Sequence, residues 1–129
     1  MLRLPRFRLE SPATVDEAAR LLREHGAAET DAARSGTPGL RVMLVAGGTD
    51  LYPNMKRRQF APELLVSLHR ALPRHIANGA ALRIGAGATL TEVAAHPLVR
   101  ERCAALAEAA GLVSTPQLRN MGTIGGNVC

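Results

Sequence analysis

The chain has 129 residues, of which 47% are apolar and only 2% aromatic, so its composition excludes wholesale disorder and predicts one compact domain or two small lobes. The net charge of +5 at pH 7 comes with no RNP sequence, zinc-finger spacing or aromatic interleaving, which disfavours a nucleic-acid-binding domain. Two cysteines cannot make a disulfide framework or a metal site, and no apolar run is long enough to span a membrane, so a soluble, cytoplasmic protein is expected.

The N-terminal part of the chain predicts a strand, a helix and a second strand. Residues 6–10 alternate around apolar positions, as a short strand does. Thr14 and Glu17 have the spacing of a capping box, and apolar residues then recur at helical spacing. Residues 27–39 show no period and predict a surface loop, whereas the apolar run at 40–46 is typical of a strand buried on both faces.

The central part of the chain predicts further strands. Residues 63–68 have strand composition, and Asn78-Gly79 indicates a two-residue hairpin between two short strands. A helix start is expected at residues 89–92.

A longer helix is predicted from Pro97 to Gly111, with Cys103 as a small buried apolar residue. Residues 114–129 are rich in glycine and poor in helical pattern. The resulting order, β-α-β-β-β-β-α, predicts an α+β fold.

Two glycine loops stand apart from this core-building sequence. Residues 45–51 (VAGGTDL) are a strand that breaks into a double glycine, and residues 120–127 (NMGTIGGN) contain a second double glycine. Consecutive glycines expose backbone N–H groups that can converge on a phosphate, and a hydroxyl at Thr49 or Thr123 could add a donor. Each loop alone could be a tight turn ending a strand, but the pair together favours a ligand that carries a diphosphate.

Common nucleotide fingerprints do not fit the chain. Residues 85–90 (GAGATL) begin like a dinucleotide-binding loop but lack its third glycine, so no Rossmann fold is predicted. The sequence also contains no G-x-x-x-x-G-K-[ST] motif, which excludes a P-loop.

The two loops nevertheless closely resemble the FAD signatures of the molybdopterin dehydrogenase flavoprotein family, which includes the flavin subunits of xanthine and carbon monoxide dehydrogenases. The second signature is long and specific, covering residues 114–127 (STPQLRNMGTIGGN), and residues 85–92 look like the segment that the family carries between the signatures. The likeness extends from Phe7 to Cys129. Within the family, residues 51–56 (LYPNMK) look most like the flavin (beta) subunit of 4-hydroxybenzoyl-CoA reductase.

The resemblance implies a PCMH-type FAD-binding domain of two α+β lobes. Residues 1–60 would form the N-terminal FAD-binding lobe and residues 61–129 a second lobe that is incomplete at its C-terminus. No catalytic side chain and no metal ligand is expected, and the four histidines are expected at the surface or as caps. The residues that the resemblance implies for FAD binding are Ala46, Gly47, Gly48, Thr49, Asp50, Leu51, Thr123, Gly125, Gly126 and Asn127.

The resemblance further implies an oxidoreductase subunit that passes electrons through FAD. Its partners would be a 2Fe–2S small subunit and a molybdopterin-containing large subunit. Two alternatives remain open: a truncated fragment that binds little FAD and acts only in assembly or is inactive, and another PCMH-fold flavoenzyme. Replacing Gly48 with valine is expected to abolish FAD retention while leaving the fold largely intact.

Overall fold

The computed structural model describes residues 3–26 and 41–129 of the chain. The chain forms two compact units, Met1–Ala71 and Leu72–Cys129, which we call the N-terminal unit and the C-terminal unit. Both contain helices and strands, in agreement with the predicted α+β class. The loop predicted at residues 27–39 and the first residue of the strand predicted at 40–46 lie outside the described residues.

The N-terminal unit contains a parallel sheet with strand order β1-β3-β2. Parallel neighbours cannot be joined by a tight hairpin, because each connection must cross from one end of the sheet to the other. Two helices lie in these connections. The described elements are β1 (Arg8–Glu10), α1 (Val15–Gly26), β2 (Val42–Val45), α2 (Leu51–Lys56) and β3 (Leu64–Ser67).

The central strand of this sheet is β3, and its side chains divide the core into two clusters. Leu64 packs in one cluster with Ala18 of α1, while Leu65 packs in the other with Met55 of α2. Strand β2 is therefore less covered than predicted, and Leu44 at its middle is 43% exposed. The prediction of a strand buried on both faces was wrong for β2, because β3 takes the central position.

The two helices of the N-terminal unit differ in how far the sequence predicted them. The predicted start of α1 is confirmed, since the Thr14 hydroxyl accepts a hydrogen bond from the Glu17 N–H at 3.2 Å. The Glu17 carboxylate, however, accepts from the N–H of Ala13 at 2.8 Å instead of from Thr14. Helix α2 was not predicted, because it has only six residues and contains Pro53.

The division between the two units differs from the predicted lobe boundary at 60/61. Strand β3 pairs with both β1 and β2 and so belongs to the N-terminal unit, although the sequence prediction placed it in the second lobe. The structure divides after Ala71.

The C-terminal unit packs five short helices and a small antiparallel ribbon around one apolar cluster. Val93 and Val99, which are fully buried, lie at the centre of this cluster. Among the residues that the structure describes, no helix is long and apolar enough to cross a membrane. The elements are β4 (Ile76–Ala77), β5 (Arg83–Ile84), α3 (Leu90–Ala95), α4 (Pro97–Arg102), α5 (Ala104–Leu112), α6 (Pro116–Met121) and α7 (Ile124–Val128).

Three predictions for this unit were wrong. The strands of the ribbon pair Ala77 with Arg83, so residues 78–82 form a five-residue loop rather than a two-residue turn. The helix predicted from Pro97 to Gly111 is two helices, because Cys103 leaves the helical conformation at φ −149° and ψ 59° and is exposed. The tail is helical at α6 and α7, where Thr115 and Thr123 cap helix starts that carry no apolar period.

The C-terminal end of α2 offers a stability test, because Arg58 adopts φ +62°, where glycine is favoured. We expect Arg58→Gly to raise the free energy of unfolding by about 0.5–1 kcal/mol, since it removes the strain of a side chain in the left-handed region. Arg57→Gly is the matched control and should lower it, because Arg57 has φ −81°. Urea denaturation measures both; equal effects of the two substitutions would contradict the account.

Candidate functional site

The first glycine loop follows β2 and leads into α2. Its residues 46–49 are half-buried, and Gly48 has φ +69°, the left-handed conformation that glycine adopts without strain. The loop is held from the helix side, because the carbonyl of Gly48 accepts from the Tyr52 N–H at 3.1 Å. The carbonyl of Asp50 accepts from the Asn54 N–H at 3.2 Å, and the Asp50 carboxylate accepts from the Asn54 side-chain amide at 3.0 Å.

The backbone N–H groups of this loop, unlike the carbonyls of Gly48 and Asp50, are not hydrogen-bonded within the described part of the chain. Among the described residues, the N–H groups of Gly47, Gly48, Thr49 and Asp50 donate no hydrogen bond. Consecutive unpaired N–H groups at a turn are the donor set that suits a phosphate. The first loop therefore offers a row of free backbone donors, while its role in FAD binding stays a prediction.

The expectation that Gly48→Val leaves the fold largely intact does not agree with this geometry. A Cβ atom at Gly48 would lie 2.5 Å from Cδ2 of the Tyr52 ring, and a valine would have to adopt φ +69°. A β-branched residue is strongly disfavoured there. The substitution would therefore disturb the loop itself, whether or not a ligand is bound.

The second glycine loop is folded into the start of α7, and the N–H groups of its last three residues already donate hydrogen bonds within the chain. Gly125 N–H donates to the Ala86 carbonyl at 2.9 Å, and Gly126 N–H donates to the Thr123 hydroxyl at 3.1 Å. Asn127 N–H donates to the Thr123 carbonyl at 2.9 Å. The loop thus lacks the open row of N–H donors that the sequence predicted, while the exposed Asn127 side chain and the Thr123 hydroxyl proton remain as donors.

The glycine at 125 is instead required by close packing. A Cβ atom there would lie 2.8 Å from the carbonyl oxygen of Ala86 and 2.9 Å from its Cβ. On either side of Thr123, Ile124 N–H donates to the Ala88 carbonyl at 2.8 Å and Leu90 N–H donates to the Gly122 carbonyl at 2.9 Å. The segment at 85–90 and the second signature therefore form one hydrogen-bonded assembly within the C-terminal unit.

Arg119 fixes the turn that precedes the second loop, a role that the sequence reading missed. Its guanidinium donates to the carbonyls of Val113 and Ser114, each at 2.9 Å. Ser114 has φ +47°, so the arginine stabilises a backbone turn that would otherwise be strained.

A second residue missed by sequence reasoning is Glu92, although the capping-box spacing from Thr89 was visible as a helix start. Its carboxylate accepts from the N–H of Thr89 at 2.7 Å and from the Arg74 guanidinium at 2.8 Å. The Thr89 N–H is the largest cause that lowers the pKa of Glu92 below its usual 4.5; partial burial opposes it, and Arg74 lowers it further.

This lowered pKa predicts a pH dependence of stability. Since the folded-state pKa of Glu92 is below 4.5, its stabilisation is present above that value and is lost as pH falls through the folded pKa. We expect wild type to exceed Glu92→Gln in free energy of unfolding at about pH 7, with the difference shrinking toward about pH 3. Thermal unfolding of both proteins across this range measures it. A difference that stays constant with pH would contradict the assignment.

No metal site is found in the described part of the chain, where no three residues among His, Cys, Asp and Glu group closely enough to hold an ion. His96 caps α4, since its Nδ1 accepts from the Leu98 N–H at 3.2 Å.

Comparison with known proteins identifies the family. A family model for the FAD binding domain in molybdopterin dehydrogenase matches residues 5–129. The carbon monoxide dehydrogenase medium chain of Hydrogenophaga pseudoflava is 37% identical over 126 residues, which cover 96% of this chain and 39% of that protein. The nicotinate dehydrogenase FAD-subunit of Eubacterium barkeri is 32% identical over 124 residues, covering 95% of this chain and 38% of the relative.

Solved structures show the same fold. Carbon monoxide dehydrogenase of Hydrogenophaga pseudoflava superposes with a TM-score of 0.79 at 34% identity, covering 98% of this chain and 40% of that one. Quinoline 2-oxidoreductase of Pseudomonas putida 86 gives a TM-score of 0.79 at 27% identity, covering 96% and 39%.

The chain spans about 40% of the length of these relatives. The narrower resemblance to 4-hydroxybenzoyl-CoA reductase stays a prediction. The family assignment made from the two glycine signatures is confirmed: the chain belongs to the family of FAD binding domains in molybdopterin dehydrogenases.

Proposed function

We propose that the chain binds FAD as part of the electron-transfer flavoprotein subunit of a molybdenum-containing oxidoreductase. Family membership supports the class of protein. The structural observation that carries the proposal is the run of unpaired N–H groups at Gly47, Gly48, Thr49 and Asp50. A diphosphate needs several such donors, and no lysine or metal is required when the backbone supplies them.

The first loop is proposed to hold the diphosphate, with Ala46 and Leu51 at its flanks. Because Gly47 and Gly48 have no side chains, a phosphate could approach their N–H groups closely. Peptide N–H groups that are already fixed in position toward the anion do not need to reorganise when it binds, and this favours affinity.

The second loop is proposed to meet FAD in another way. The N–H groups of Gly125 and Gly126 are occupied within the chain, so these residues would provide a surface without side chains rather than hydrogen bonds. Asn127 has an exposed amide, and Thr123 keeps a hydroxyl proton although the residue is only 9% exposed. These two side chains are the donors that we assign to FAD in this loop.

Redox chemistry would be supplied by the flavin when bound, and the role of this chain is to bind and orient it. We assign no acid, base or nucleophile to the chain. The partners we propose are a 2Fe–2S small subunit and a molybdopterin-containing large subunit, in a cytoplasmic complex. The relative in Hydrogenophaga pseudoflava is named as a medium chain, which supports a multi-subunit assembly.

Equilibrium titration of the purified protein with FAD and with riboflavin tests the proposal. One FAD should bind per chain, and riboflavin should bind at least tenfold more weakly, because it lacks the diphosphate; tenfold corresponds to about 1.4 kcal/mol. Absence of FAD binding, or equal binding of the two flavins, would overturn the assignment of the first loop.

One observation favours the alternative that the chain alone binds little FAD. The second loop has no backbone donor left between Gly125 and Asn127, so fewer hydrogen bonds are available than the sequence implied. The same titration separates the two functions, since saturable binding of FAD contradicts the alternative.

A further inference from the structure

A small network of side chains braces the segment that packs against the second signature. The Glu92 carboxylate accepts hydrogen bonds from the Thr89 N–H at 2.7 Å and the Thr89 hydroxyl at 3.0 Å. Its other oxygen accepts from the Arg74 guanidinium at 2.8 Å. One carboxylate thus ties the start of α3 to the stretch before β4.

The residue held by this network is itself bonded to the candidate site. Thr89 forms a β-bridge with Thr123, and both residues are only 9% exposed. On one side of the bridge Leu90 N–H donates to the Gly122 carbonyl, and on the other Ile124 N–H donates to the Ala88 carbonyl. Displacement of Thr89 would therefore move the first residues of α7.

The ion pair between Arg74 and Glu92 lies at the surface. The side chains of Arg74 and Glu92 are 45% and 44% exposed, whereas Val93, the next residue of α3, is fully buried. Removing the Glu92 carboxylate leaves the apolar core in place and takes away the capping hydrogen bond at the start of α3 and the ion pair with Arg74. Besides its contribution to stability, the network is therefore suited to setting the position of a loop.

We propose that Glu92, through Thr89 and together with Arg74, is a positioning residue that holds Thr123 and Gly125 in place for FAD. This inference rests on the proposed function, because the ligand is FAD. The hydrogen bonds that connect Glu92 to the start of α7 do not depend on that ligand. A role limited to capping α3 would affect that helix alone. A positioning role extends to the amides of Ile124 and Gly125, which bond to the segment before α3.

The test compares Glu92→Ala, Glu92→Gln and Glu108→Ala in the purified protein. Glu108 is an exposed carboxylate on α5 of the same unit and serves as the control. Two quantities are measured: amide hydrogen exchange of Ile124 and Gly125 without FAD, and the Kd for FAD.

We expect Glu92→Ala to speed exchange of the Ile124 and Gly125 amides roughly tenfold and to weaken FAD binding by about the same factor, with Glu108→Ala unchanged. Glu92→Gln keeps an acceptor for Thr89 and should recover part of both effects. Faster exchange confined to α3 would overturn the proposal in favour of a simple cap. Faster exchange at Ile124 and Gly125 with an unchanged Kd would overturn it as well.

The two proposals fail in different ways. If wild type takes up no FAD, the proposed function is contradicted, and the exchange rates alone then decide whether Glu92 positions the start of α7. If wild type binds FAD but Glu92→Ala changes neither quantity, only the role of Glu92 is contradicted.

Discussion

Replacing Gly125 with alanine is expected to destabilise the C-terminal unit by about 1–3 kcal/mol, the usual cost of forcing one extra methyl into a packed contact. The new Cβ atom would lie 2.8 Å from the Ala86 carbonyl oxygen, which is backbone and cannot rotate away. The hydrogen bond from Gly125 N–H to that same oxygen would be stretched or lost. Urea denaturation followed by circular dichroism measures the change.

The matched control is the adjacent glycine. Gly126 lies in the same helix and is exposed, so a methyl group added there is not forced into a packed contact. Gly126→Ala should therefore raise helix stability by up to about 1 kcal/mol, since alanine is the better helix former. Equal destabilisation by the two substitutions would show that α7 needs glycine for flexibility and not for its contact with Ala86.

The second large effect is expected on FAD affinity. Because a side chain at Gly48 would disturb the loop itself, the substitution that tests this effect is at Gly47. Gly47 does not have a positive φ, so alanine can adopt the backbone conformation of the ligand-free loop without strain. We expect Gly47→Ala to leave the melting temperature unchanged and to weaken FAD binding by roughly 10- to 100-fold, because a methyl group would keep the phosphate from the N–H row.

Two further variants complete this experiment. Gly79→Ala, in the exposed loop of the C-terminal ribbon, should change neither the melting temperature nor FAD affinity. A Cβ atom at Gly79 would lie 3.9 Å from the Ala81 carbonyl oxygen, which is an ordinary van der Waals contact. Gly48→Ala should lower both, since it strains the loop at φ +69° by about 1–2 kcal/mol. Undiminished FAD affinity in Gly47→Ala would exclude close approach of a phosphate at this residue.

The elements that the sequence predicted well are those with a clear hydrophobic period. Helix α1 and strands β1, β2 and β3 were located because apolar residues recur along them at helical or strand spacing. Helices α2, α6 and α7 have five or six residues each, too few for a period to show. They begin with local signals, such as the threonine and proline at 115 and 116, which also occur in loops.

The candidate site was predictable in part. The double glycines pointed to both loops, and the first has unpaired N–H groups as expected. For the second, spacing could not reveal that Gly125 faces Ala86, because that contact joins segments far apart in the sequence. The same glycine pattern therefore serves two purposes: exposure of backbone donors at Gly47 and Gly48, and close approach of two backbones at Gly125.

The N–H groups of the first loop are proposed to receive the diphosphate of FAD. Amide hydrogen exchange of Gly47, Gly48 and Thr49, measured with and without saturating FAD, tests it most directly. We expect FAD to slow exchange at these amides by roughly tenfold or more, because each gains an acceptor. Bound FAD with unchanged exchange at all three amides would contradict it.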